Sequence, residues 1–228
     1  GTNGFHLNLS NGTSTTTLGY DSSGNSNNWT TNNISLTAGS TYDWMLDSPT
    51  PYAGSSYGVG NYALMNPLTG SATLSAANLN VSGVDVSSIG TIAFPATGKW
   101  YFELDCGANV SATNNDGVGI ATASFVSYMY RSSGNKLQTG GSNTAYGASY
   151  ATGDNIGIAY DADAGTLVFY KNNASQGTAF TGISGTFFPL AYARGTTASP
   201  TLSMNFGQRP FAYTPPSGYK SLCTYNLP

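Results

Sequence analysis

From Trp100 to Cys106 the side chains alternate in polarity. Trp100, Phe102, Leu104 and Cys106 fall on one side, and Tyr101, Glu103 and Asp105 on the other. A period of two belongs to a β-strand, whose successive side chains leave opposite faces; here it predicts one buried and one wetter face. The pattern recurs downstream. Ile156, Ile158 and Tyr160 alternate with Gly157 and Ala159, Leu167 and Phe169 with Val168 and Tyr170, and Leu202, Met204 and Phe206 with Ser203 and Asn205. Turn chemistry separates the runs. "DADAG" at 161–165 predicts a hairpin, which accounts for Asp161 and Asp163 without a metal, and "KNNAS" at 171–175 puts Asn172 and Asn173 where left-handed backbone is tolerated. No window of about eleven residues carries the i, i+3, i+4, i+7 spacing of an amphipathic helix. The fold class is therefore all-β, an antiparallel sandwich.

Residues 1–71 follow another pattern. Gly, Ser, Thr and Asn dominate, and apolar residues come in twos and threes, which predicts a partly irregular N-terminal extension. Phe5, Leu7, Leu9, Trp29, Trp44, Met45 and Leu46 make it too apolar for a free tail. "LDSPTPYAG" at 46–54, whose prolines force extended backbone, is the expected linker. The predicted division is extension 1–71, sandwich 72–213 and C-terminal tail 214–228. A chain starting at Gly1, with neither initiator Met nor signal peptide, is expected to be a fragment or processed product.

Composition narrows the function. Only 7% of the 228 residues are charged, against about a quarter in an average globular chain, so hydroxyls and amides must wet the surface. The net charge is −3, and the seven Lys and Arg are scattered singly, which leaves no basic stripe for nucleic acid. No apolar run approaches the roughly 18 residues of a membrane span, and no basic amphipathic helix occurs, so no membrane insertion is expected.

Paired carboxylates can hydrolyse glycosides, and Glu103 and Asp105 share a strand face. Yet Glu103 is the only glutamate, and Cys106, Gly107, Ala108 and Asn109 follow without another acid. The pair is read as a strand marker. His6 is the only histidine, so any Ser or Cys triad would depend on it, and no G-x-S-x-G elbow, P-loop or H-E-x-x-H motif is present. The expectation is a non-enzyme. Cys106, on the apolar face of its strand, reads as a buried free thiol rather than a bridge to Cys223.

Two binding candidates remain. In "DSSGNSNN", Asp21, Ser23, Asn25 and Asn27 offer oxygen ligands suited to Ca²⁺, although Ser26 and Asn32 stand where an EF-hand needs Gly and Glu. An Asx-rich turn explains the same residues. No other cofactor is required. Tyr128, Tyr130, Arg131, Tyr146 and Tyr150 cluster around the long connection 127–152, where aromatic faces could stack on a sugar; Tyr128 and Tyr146 equally suit the sandwich interior.

Six blocks carry a resemblance. "GKWYFE", "GVGIA", "GDNIGIAYD", "TLVFYKNN", "FFPLAY" and "SMNFG", in this order across roughly 72–213, resemble a SPRY domain. The resemblance implies a bent sandwich of two antiparallel sheets, a concanavalin-like jelly roll whose usual role is binding rather than chemistry. It implies that Gly117 and Gly119 let strands pack closely, that Phe188 before Pro189 plugs the core at a strand start, and that Phe206 with Gly207 closes the last strand. The peptide-binding residues of animal SPRY proteins do not transfer, because their flanking modules and charged loops are missing. A second resemblance, carried by "GFHLNLSN", "DSSGNSNNW", "MLDSPT", "GNYALMNPL" and the stretch from "NFGQRPF" to "YNLP", is to bacteriophage tail-fibre and particle-surface proteins with a laminin-G-like stretch before the sandwich. It implies a module at the virion surface or otherwise extracellular, binding host-surface glycan or other virion subunits, and a homo-oligomer. The alternatives are a spacer or decoration domain that oligomerises, and a polysaccharide-acting glycoside hydrolase.

Overall fold

The computed structural model describes residues 1–9, 11–37, 41–44, 60–195 and 198–228. The expected linker at 46–54, with Met45 and Leu46, lies outside the described residues. One short helix, α1 (Thr15–Leu18), is capped by Ser14, whose hydroxyl accepts from the Thr17 amide while its own amide donates to the Thr17 hydroxyl. The strands are β1 (Thr73–Ser75), β2 (Asn80–Ser82), β3 (Val86–Ile89), β4 (Lys99–Cys106), β5 (Gly117–Ala121), β6 (Ser127–Arg131) and β7 (Asn135–Gln138). They continue as β8 (Thr144–Ala145), β9 (Asn155–Asp161), β10 (Thr166–Lys171), β11 (Ala174–Phe180), β12 (Phe188–Ala193), β13 (Thr201–Asn205) and β14 (Lys220–Ser221).

Two sheets form the predicted sandwich. The first runs β1-β2-β13-β4-β9-β10-β11, and the second runs β3-β12-β5-β6-β7-β8. All pairings are antiparallel except that of β14, which runs parallel to β4 at Trp100 and Tyr101, just beyond the point where β13 leaves it. The alternating residues fill the space between the layers. Phe102, Leu104, Ile156, Ile158, Leu167, Phe169, Leu202, Met204 and Phe206 from one sheet meet Val118, Ile120, Tyr130 and Ala191 from the other, all fully buried. The two predicted turns form: Asp161 accepts from the Ala164 amide, and Asn172 and Asn173 adopt φ of 46° and 69°.

Two expectations are corrected. Tyr101 and Glu103 are not on a wet face: Phe211 packs edge-on to Tyr101 at 5.0 Å, and the Ala212 and Tyr213 amides donate to Glu103, so the chain after β13 roofs that side of β4. The aromatic in the main core at the start of β12 is Phe187, whereas Phe188 points to the opposite side and is half-buried. The sandwich also takes in chain on both sides of the expected boundaries. The Ala63 amide bonds the Leu222 carbonyl, the Met65 amide bonds the Asn78 carbonyl, and Leu222 and Cys223 are buried. The Ala63–Leu222 bond joins residues more than a hundred positions apart, which local composition does not reveal. Cys106 and Cys223 are both buried free thiols, and burial pushes the Cys106 pKa up.

Candidate functional site

The outer side of the second sheet is the place where sequence-predicted chemistry and unsatisfied chemistry coincide. Strand register lays its side chains out in rows. Tyr192, Gly117 and Arg131 form one row, Leu190, Gly119 and Met129 the next, and Phe188, Ala121 and Ser127 the third. The central strand β5 contributes only glycine and alanine to this face, so its neighbours can lie flat across it. Ile89, Ala121, Met129 and Leu190 are buried in a small cluster, against which Phe125, Leu137, Phe188 and Tyr192 are packed and half-buried.

Arg131 lies in the first row. Its guanidinium faces the ring of Tyr192, 5.6 Å from the centroid. The residue is 8% exposed, its Nε has no hydrogen-bond partner, and it makes no ion pair among the described residues. Burial lowers its pKa, and the charge of Arg194 adds to that effect against the opposing influence of Tyr192, Tyr150 and Asp85. Neither nearby carboxylate pairs with it among the described residues, although the Oδ2 of Asp116 is buried without a donor. Asp85 accepts from the Tyr192 hydroxyl, and one oxygen of the buried Asp116 accepts the amides of Arg194 and Gly195, at 2.9 and 3.1 Å. Arg209 shares the unpartnered Nε but differs in its other nitrogens, because that buried arginine pairs with Asp105 at 3.3 Å and also bonds the Ser203 hydroxyl and the Met204 carbonyl. Buried charges are ordinarily paired. Arg131 is not.

The tyrosines expected beside Arg131 are placed differently. Tyr130 and Tyr150 are core residues, not surface ones. The Tyr130 hydroxyl bonds the Ala148 carbonyl, and the Tyr150 hydroxyl bonds the carbonyls of Asp116 and Tyr130 at 3.0 Å each. Tyr146 stacks edge-on to Tyr130 at 5.2 Å, and its hydroxyl donates to Gly177; burial pushes its pKa up to about 12. Tyr128 wedges between Phe180 and Phe187. The alternation along β6 accounts for the split, since Tyr128 and Tyr130 leave one face and Arg131 the other. Tyr192 and Arg194 were missed. The outward register of "FFPLAYAR" was their available signal.

Glu103 and Asp105 hold the fold together. Glu103 is 0% exposed and accepts from the Tyr101 hydroxyl at 3.0 Å, the Ala212 amide at 2.8 Å and the Tyr213 amide at 3.1 Å. Asp105 accepts from Asn155 at 2.7 Å and pairs with Arg209. Every carboxylate oxygen of the pair faces an internal donor, which leaves no acid and no nucleophile open to a sugar. A cleft of about 660 Å³ is lined by Lys99, Trp100, Asp163, Lys220, Tyr225 and Pro228, but Lys99 pairs with Asp161 and Asp163 accepts from the Gly98 amide. It holds no pair of free acids.

Residues 99–209 match the family model of the SPRY domain. The crystal structure of the SPRY domain of human HERC1 aligns with a TM-score of 0.56 at 15% identity, covering 64% of this chain and 99% of that one. The stonustoxin structure aligns with a TM-score of 0.51 at 16% identity, covering 63% of this chain and 27% of that one. At such identities the likeness is one of fold. An E3 ubiquitin-protein ligase RKP of Arabidopsis thaliana is 38% identical over 79 residues, which is 34% of this chain but only 6% of that relative's length. The SPRY match contains Arg131, Tyr192 and Arg194. It ends before Ala212 and Tyr213, the chain that seals Glu103.

The Asp21 loop lies outside the SPRY match. Asp21 Oδ1 accepts the His6 and Ser23 amides at 2.8 Å each, and Oδ2 accepts the Ser23 hydroxyl at 2.8 Å and the Asn27 amide at 3.0 Å. These donors, the His6 amide foremost, hold the Asp21 carboxyl well below the usual range. The Asn25 and Asn27 side-chain amides donate to carbonyls of residues 1–4. The four residues therefore form an Asx-type turn in which both Asp21 carboxylate oxygens already have donors, and a cation there would have to displace them. A chelator is expected to leave the melting temperature unchanged; a fall of several degrees, restored by Ca²⁺, would establish a bound ion.

Proposed function

We propose that this chain is a non-catalytic binding module that docks a segment of another protein on the outer face of its six-stranded sheet. One observation carries the reading: a nearly buried arginine without an internal acceptor stands beside half-buried apolar side chains, an arrangement that lacks its partner. The SPRY match supports binding over chemistry. The finer setting, a phage particle whose surface modules bind host glycan or neighbouring subunits, rests on the sequence blocks alone, as does a homo-oligomeric state.

One feature favours glycan contact as a second reading. Phe5 and Trp29, 51% and 54% exposed, hold their rings 4.9 Å apart on the N-terminal stretch, a platform of the kind on which sugars stack. A screen of the full chain against displayed peptides and arrayed glycans separates the two. Peptide hits lost in Leu137→Arg and kept in Trp29→Ala support sheet-face docking; glycan hits lost in Trp29→Ala support the second reading. Peptide binding unaffected by Leu137→Arg, in a variant whose melting curve matches wild type, would sink the first.

A further inference from the structure

We infer that the Arg131 end of this face binds a carboxylate, supplied by an aspartate or glutamate side chain of the docked protein. The inference rests on the docking reading above and adds the chemistry of its recognition.

A guanidinium presents five N–H donors in a fixed fork that matches the two oxygens of a carboxylate. Removing it from water is costly unless acceptors replace the lost hydration. Arg131 has undergone part of that removal without the replacement: its Nε is buried and unpartnered, and it forms no ion pair among the described residues. The protein holds the group ready rather than satisfying it. The Tyr192 ring lies against it, and Asp85 anchors the Tyr192 hydroxyl. Asp116 Oδ1 accepts the amides of Arg194 and Gly195 and so positions the chain next to the site, while its Oδ2 is itself buried without a donor and forms no ion pair with Arg131 among the described residues.

The charge inventory points the same way. Lys99, Lys171 and Arg209 pair with Asp161, Asp154 and Asp105, yet Arg131 and Arg194 form no ion pair among the described residues. Asp85 and Asp116 lie at the same end, but neither forms an ion pair with Arg131 among the described residues, so its guanidinium keeps donors for an external anion. A protein side chain fits better than an acidic sugar. The aromatic face that a sugar would stack on, that of Tyr192, is covered by the guanidinium, and the next positions along the face are Leu190, Phe188 and Leu137, which suit the apolar neighbours of an acidic residue in a peptide.

The test uses the full chain and side-chain NMR of the Arg131 Nε–H signal. The probes are acetylated, amidated Leu-Glu-Leu, its Leu-Gln-Leu counterpart, and glucuronate. Saturable shifts of that signal and of the Gly117 amide are expected with the Glu peptide, with binding at least about tenfold weaker for the Gln peptide. Arg131→Met is expected to abolish the response while keeping or raising the melting temperature, because the guanidinium has no internal acceptor to lose. Equal binding of the two peptides overturns the inference, as does tighter binding of glucuronate, or an Arg131→Met chain that melts many degrees lower. If peptides that Leu137→Arg rejects bind without regard to acidic residues, the docking face stands and only the carboxylate assignment falls.

Discussion

Replacing Glu103 with alanine is expected to lower stability by about 3–5 kcal/mol, since it strands three buried donors and opens a void beneath the chain that roofs β4. Thermal unfolding measures the loss, and hydrogen exchange locates it. The Ala212 and Tyr213 amides should exchange far faster, and amides of the second sheet should change little. Glu103→Gln should fall between, because its carbonyl can keep one set of donors while its NH₂ meets another donor head-on. The pH dependence has a definite sign. Burial raises the Glu103 pKa above the ordinary 4.5, against the pull of its three donors, so the unfolded chain releases this proton at lower pH than the folded one. Glu103 therefore favours folding most below about 4.5, and that contribution declines as pH rises through the folded value and then levels off. The stability gap between wild type and Glu103→Gln should narrow over the same interval. A gap that widens with pH would show that the donors outweigh burial.

Gly119→Ala is the second substitution expected to be severe. A Cβ at this position would collide with the carbonyl oxygen of Tyr128 on the adjacent strand and stand 2.9 Å from the Met129 Cα. Both are backbone atoms, so no rotamer relieves the overlap and β5 must separate from β6. The expected cost is about 3 kcal/mol or more, a drop in melting temperature of roughly 6–12 °C for a chain of this size. Gly4→Ala, whose Cβ would meet nothing nearer than 3.5 Å, is the control and should stay within about 0.5 kcal/mol. If both variants melt together, the close approach of β5 and β6 is wrong.

These two positions also show what the sequence could and could not disclose. Alternation from Trp100 to Cys106 separates two faces correctly, and the same rule along β6 sends Arg131 away from Tyr130. It is silent on whether a face is later covered. The roof over Glu103 arrives from more than a hundred residues downstream, where "RPFAY" has no period of its own. Tyr130 and Tyr150 looked like surface residues because they flank a long connection, yet a tyrosine can be buried wherever carbonyls such as those of Ala148 and Asp116 come within reach of its hydroxyl. Arg131 was legible as a candidate through its residue type. Its want of a partner was not, since being unpaired is a property of everything around it. The sandwich itself was readable for the opposite reason: burial of one face is written locally, every second residue, in each strand.

The parallel pairing of β14 with β4 bears on how the molecule comes into being. Strand β4 lies in the interior of its sheet, but one end of it acquires its neighbour only when Lys220 and Ser221 have left the ribosome. Until then the backbone edge at Trp100 and Tyr101 stays open, and the carboxylate of Glu103 waits for amides not yet synthesised. Closure of the first sheet is thus a late event in vectorial synthesis, and a nascent chain halted before Ala212 presents the interval in which it is most exposed to mispairing.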